Sequence, residues 1–228
     1  MDSKIIIRIL LIIVVLAVSY LLKKTLARKQ EVLFDESDNN LEIDNAIDFG
    51  YKMQWFAVKT DNKKRIAEIL KLQKVSNCNW ELGIKKAYDN SIFITPQIGK
   101  WTLVCGNNFS YGTEKQILIE LSKEFGEAQF FATHRVSDYH CWMKAIDGKL
   151  IRLFTYSDEY ENGYIMEGET TEIEKKYVVL NSSTEDDAAH IDFIDEEIVM
   201  EIAENWSINP TKLSQRKDVK HEFGILGL

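Results

Sequence analysis

The chain has 228 residues, of which 45% are apolar and 28% charged. That composition suits a folded body and excludes a disordered one. Two prolines, eleven glycines and three cysteines exclude collagen-like, low-complexity and disulfide-stapled folds, and a net charge of −8 argues against a nucleic-acid binder, whose surface is normally basic.

Residues 5–22 read IIIRILLIIVVLAVSYLL, with one charge, Arg8, near the edge. As a helix this run spans about 27 Å, enough for a thin bilayer core. Arg8 can extend to the headgroups, and Tyr20 sits where an interfacial ring is favoured. The small residues around Ala17-Val18-Ser19 also suit a secretory cleavage site, but apolar residues continue to Leu22, which favours an uncleaved anchor. Lys23, Lys24, Arg28 and Lys29 follow the run and predict the C-terminal body on the cytoplasmic side of a single-pass protein. Three cysteines without obvious pairing agree with a reducing compartment, although Cys105 and Cys141 remain candidates for one bridge. The expected organisation is an anchor over 1–30, an acidic linker over 31–50 and a globular domain over 51–228.

Within the body, 53–60 predicts a strand and 61–74 a helix with Ile66, Ile69 and Leu70 on one face. A short helix follows over 80–87. Residues 91–95 and 100–106 predict a hairpin, the second strand apolar enough to be central and covered on both faces. Thr113 and Gln116 have capping-box spacing ahead of the stripe Ile117, Leu118, Leu121 and Phe125, and Gly126 predicts a left-handed C-terminal cap. Strands are expected over 129–136, 139–146 and 149–156, the last two joined by the turn Asp147-Gly148. A helix over 195–205 carries Ile198, Val199, Ile202 and Trp206 on one face and ends before Pro210. The last residues are expected to dock or fray. The order β-α(α)-β-β-α-β-β-β predicts an α+β fold, a mainly antiparallel sheet with helices packed on one face in a split-βαβ manner.

The charge is concentrated. Residues 158–204 hold sixteen acidic and two basic residues, a net −14. Asp158, Glu159 and Glu161 follow the last strong strand, Glu185, Asp186 and Asp187 lie in a loop, and Glu197, Glu201 and Glu204 repeat at helical spacing. On one side of the molecule they would attract a protein partner with a basic surface in a salt-dependent way. A solvated acidic surface is the bland alternative. The second chemical candidate is His134, Asp138, His140 and Cys141, residue types that ligate zinc or orient a general base. A continuous strand would put His134, Asp138 and His140 on one face and Cys141 on the other, and a turn at Ser137-Asp138 would break even that. No P-loop, Rossmann glycine set, HExxH, paired CxxC or GxSxG motif is present, so no cofactor is predicted.

The segments GKWTLVCG (99–106), LSKEFGEAQFFATHRVSDYHCWMKAIDGKLIRLFTY (121–156), GET (168–170) and DEEIVMEIAENWSINP (195–210) together resemble a family of uncharacterised bacterial proteins over 80–211. That resemblance implies no activity or catalytic residue. In general character, small acidic α+β proteins of this kind are similar to immunity proteins that neutralise bacterial toxins. Two functions are therefore expected to compete: a membrane-anchored protein-binding module acting through 158–204, and an enzyme using 134–141.

The anchor is directly testable. The full chain should stay with the membrane pellet through alkaline carbonate extraction, and a chain lacking 1–30 should move to the supernatant. A full chain released by carbonate would overturn the anchor.

Overall fold

The computed structural model describes residues 34–35, 41–107, 109, 112–157, 159–160, 163–179, 190–191 and 194–228. The expected membrane segment lies outside them. Among the described residues, no helix is long and apolar enough to cross a membrane.

The body is α+β, built on a ten-stranded sheet. The strands in chain order are β1 (Phe34–Asp35), β2 (Gln54–Val58), β3 (Val75–Cys78), β4 (Ile92–Ile94), β5 (Thr102–Cys105), β6 (Glu127–His134), β7 (Tyr139–Ile146), β8 (Lys149–Tyr156), β9 (Tyr164–Glu167), β10 (Val178–Val179), β11 (His190–Ile191) and β12 (Gly224–Gly227). Their order across the large sheet is β1-β3-β12-β4-β5-β2-β6-β7-β8-β9. Nine of them form an antiparallel run, and β1 adds parallel to β3. Strands β10 and β11 pair separately. The helices are α1 (Lys63–Ile69), α2 (Trp80–Asp89), α3 (Glu114–Phe125) and α4 (Glu196–Trp206).

Helices cover both faces of the sheet, not one. Adjacent strand residues point to opposite faces, and here both members of several adjacent pairs are large and apolar. Trp55, Phe131, Trp142 and Phe154 stand in register across β2, β6, β7 and β8, beneath residues of α2 and α4. Their neighbours Phe56, Phe130, Met143 and Leu153 are in register on the other face, beneath α1 and α3. The first row is an aromatic ladder. Trp55 stacks on Phe131 at 5.3 Å, and Trp142 on Phe154 at 4.2 Å, contacts worth about 0.5–1.5 kcal/mol each beyond their buried area. Two apolar faces need two helical layers, so a one-sided split-βαβ packing is excluded.

The helix caps follow local chemistry with one exception. Asn62, Asn79 and Asp195 accept backbone N–H bonds at the starts of α1, α2 and α4, satisfying donors that the helix leaves unpaired. Thr113 makes no side-chain cap bond at α3, because its backbone is already helical (φ −97°, ψ −8°). Gln116 pairs along the helix with Glu120 instead. The expected capping box is therefore absent, while Gly126 does end α3 at positive φ. Asp147 and Gly148, both at positive φ, turn β7 into β8 as a two-residue hairpin.

Two terminal segments are more structural than expected. Residues 41–50, expected as half of a linker, are stitched to the body. Asp44 accepts bonds from Trp80 N and Glu81 N at 2.7 and 2.8 Å, adding a second cap to α2. Asp48 accepts from Ser214 N and Oγ at 2.7 and 2.8 Å. Phe49 is buried edge-on against Trp55. At the other end, β12 inserts between β3 and β4. Gly224 permits this approach, since a Cβ there would lie 2.4 Å from the Phe93 ring.

One buried ion pair ties β9 and the following turn to the sheet. Arg152 on β8 and Glu174 in the 3-10 turn Glu174–Lys176 are 1% and 0% exposed, with Nε 2.7 Å from Oε1. Glu174 Oε1 also accepts from Trp142 Nε1 at 2.6 Å. Its Oε2 accepts from Thr171 N and Oγ1 at 2.8 and 2.6 Å. Arg152 Nη1 donates to Gly168 O at 2.9 Å. A Cβ at Gly168 would lie 2.0 Å from Ile151 O, and its φ is +79°, so only glycine permits this crossing.

Glu174→Ala should destabilise the full chain by about 3–5 kcal/mol, because it leaves Arg152 buried and unpaired. The double change Arg152→Met with Glu174→Leu should cost much less. Equilibrium denaturation in mild detergent measures both, and a double variant no better than the single one would overturn this account of the pair.

Candidate functional site

The expected acidic surface is divided by the fold. Asp158, Glu161, Glu185, Asp186 and Asp187 lie outside the described residues. Glu197, Glu201 and Glu204 stand on the outer side of α4, whose inner side buries Val199, Met200, Ile202 and Ala203. Glu159 does not join them. It lines a cavity with Ala132 and Tyr139, on the α3 side of the sheet.

The described part of the acidic block is also largely paired. Ten of its acidic residues are described, and six of those form ion pairs: Glu167–Lys115, Glu172–Lys175, Glu174–Arg152, Glu196–Arg135, Glu201–Lys176 and Glu204–Lys212. Four of the six cations come from outside residues 158–204. The described carboxylates of the run therefore present a weaker field than their count along the chain suggests.

The α4 row is nevertheless held in place by side-chain contacts. Glu197 accepts a bond from the Tyr51 hydroxyl, which raises the Tyr51 pKa to about 12. Glu201 accepts from the Tyr177 hydroxyl and pairs with Lys176 at 2.9 Å. Those contacts hold its carboxyl below the usual range, the tyrosine contribution being the larger. Lys212 at 2.6 Å lowers Glu204 in the same way. Tyr51 is 40% exposed, so the row has an aromatic ring at its border.

The second candidate, His134, Asp138, His140 and Cys141, is split by the sheet. Residues 135–138 form a turn, with Asp138 at φ +46°. His134 therefore ends β6 opposite Tyr139, and His140 pairs with Thr133. His140 points to the α4 side and is 1% exposed. Its Nδ1 lies 3.1 Å from Thr133 Oγ1, and its Nε2 lies 3.5 Å from Asp138 Oδ1. Burial pushes its pKa below 6.5, against the opposing pull of Asp138, Glu196 and Asp195. Cys141 points the other way into the core, where burial pushes its thiol up to about 12. His134 is exposed, with Nδ1 2.9 Å from Ser137 Oγ. The four residues form no common centre. Among the described residues, no group of three or more His, Cys, Asp or Glu is placed to hold a metal ion. A Cys105–Cys141 bridge is excluded, because Cys105 belongs to the core on the other face of the sheet.

His134 does open onto a cavity of about 440 Å³ at one end of the sheet. Lys52 and Gln54 from the start of β2 form one side, with Asn107 after β5. Asn107 Nδ2 donates to Lys52 O at 3.0 Å. Ser157, Glu159 and Tyr160 after β8 form the other side, and Glu114 enters from the first turn of α3. Burial pushes the Tyr139 hydroxyl up in pKa, so this residue serves as a neutral wall. Lys52, Gln54, Asn107 and Glu114 lie far apart in the chain, and no local motif marks them.

Compared with protein-family models, curated proteins and solved structures, the chain matches none.

The cysteines offer a direct check on the split cluster. All three are buried and none is in a disulfide. The native protein should leave an aromatic disulfide reagent unreacted at pH 8 and release three equivalents in denaturant. Rapid reaction of one native thiol would show a nucleophile that this geometry denies.

Proposed function

We propose that the protein is a membrane-anchored protein-binding module, held by residues 5–22 with its body on the cytoplasmic side. It engages a basic protein partner through the outer row of α4, in the general manner of an immunity protein. The observation that carries this reading is the arrangement of Glu197, Glu201 and Glu204. They occupy one exposed side of one helix, each already oriented by a hydrogen bond or ion pair. The existing pairs do not block a partner. The Lys176 and Lys212 side chains are 59% and 51% exposed, and such surface pairs contribute only about 0–1 kcal/mol. An incoming arginine or lysine displaces them at little cost and finds Glu201 and Glu204 already ionised. Tyr51, beside Glu197, supplies the kind of aromatic anchor that interfaces favour. Tethering raises the local concentration at the membrane without any new contact.

The test is kinetic. A basic protein captured by the full chain from host membranes should associate more slowly as salt rises. Glu197→Lys, Glu201→Lys and Glu204→Lys together should lower the low-salt association rate by about tenfold or more. These side chains are at the surface, so the variant should keep its unfolding midpoint within a few degrees. An unchanged rate at low salt would remove the α4 row from the interface.

A further inference from the structure

The cavity at the sheet end lies across the sheet from α4 and is independent of the reading above. Its charges are separated in a defined way. Lys52 precedes β2, and Glu159 follows β8. These strands are three positions apart in the order β2-β6-β7-β8. At about 4.8 Å per strand, the two sides stand about 14 Å apart at the backbone. The positive group is on one side. On the other stands Glu159, and Glu114 lines the cavity from the first turn of α3. A small anion would meet two carboxylates, and a small cation would leave Lys52 unmatched. A molecule with a positive end and a negative end satisfies both sides.

The lining between the ends suits an amide chain. Gln54 contributes a side-chain amide to the wall. Asn107, Ser137 and Ser157 add polar atoms along the wall. Tyr139 and Tyr160 supply ring surface. Three extended residues span about 10 Å, and the Lys and Glu side chains close the remainder. A volume of about 440 Å³ lies in the range of small-ligand sites.

We propose that this cavity binds a short zwitterionic peptide of two or three residues, with its carboxylate toward Lys52 and its ammonium toward Glu159 and Glu114.

The experiment uses the full chain in detergent, with trialanine, N-acetyl-trialanine and trialanine amide as probes in calorimetry. Trialanine should bind saturably, and each capped form should bind at least about tenfold more weakly, one charge-assisted contact being worth about 1.4 kcal/mol or more. Glu159→Gln should weaken trialanine while leaving the N-acetyl form unchanged. Lys52→Met should weaken trialanine while leaving the amide form unchanged. Lys52 and Glu159 are exposed, so both variants should fold. Absence of trialanine binding at millimolar concentration overturns the proposal. Equal binding of the N-acetyl form would mean an anion site, and equal binding of the amide form a cation site; either result also overturns it. None of these outcomes bears on the α4 row, whose test is separate.

Discussion

The buried pair of Arg152 and Glu174 organises the part of the molecule on which its proposed binding face depends. Glu174 gathers donors from β7, β8 and its own turn, through Trp142, Arg152 and Thr171. An ion pair so deeply buried is not a source of stability in itself, because two charges must leave water. Its value is positional. By fixing the turn Glu174–Lys176, it delivers Lys176 and Tyr177 to Glu201 on α4. The core thus sets the arrangement of the surface, and α4 is oriented by a carboxylate it does not touch.

Along the chain the later third looks like a block of uncompensated negative charge. In the fold, Lys115 from α3, Arg135 from the β6–β7 turn, Arg152 from β8 and Lys212 after α4 reach into it. Charge density along a sequence overstates the field wherever an antiparallel sheet brings distant cations alongside. What survives is local: a row of three carboxylates, each held by a side-chain neighbour. That is a sharper object than a diffuse acidic patch, and a better one for recognising a few basic side chains.

The sheet also separates chemistries that are neighbours in sequence. His134 and His140 are six residues apart, yet the turn at 135–138 puts them on opposite faces. One is buried beside Thr133 and lowered in pKa. The other looks into an open cavity. Strand alternation takes Cys141 away from His140 as well. The cavity is instead assembled at one end of β2, β5, β6, β7 and β8 and the start of α3. Its polar residues share nothing but their place at one end of the strands.

Much of the fold was legible in the residues. The Asp147-Gly148 hairpin, the strands on either side of it, the apolar β5 and the inner stripe of α4 all follow from local periodicity and turn chemistry, which act within a few residues. The two-sided packing was written there too, in the adjacent pairs Trp55-Phe56, Phe130-Phe131 and Trp142-Met143, since two large apolar neighbours on one strand need cover on both faces. The insertion of β12, the stitching of 41–50 and the pairing of the acidic block were not legible. Except for the short-range pairs Glu172–Lys175 and Glu204–Lys212, each depends on contacts between residues more than 15 positions apart, and a capping Asp44 or a paired Glu201 looks locally like any solvated carboxylate. The sequence by itself determined the strands and helices with strong local periodicity, though not β3, β9 or β12, and where its acidic residues fall. Only the tertiary structure decided which carboxylates face cations and which line a cavity, because that choice belongs to sheet order and strand alternation, not to neighbours in the chain.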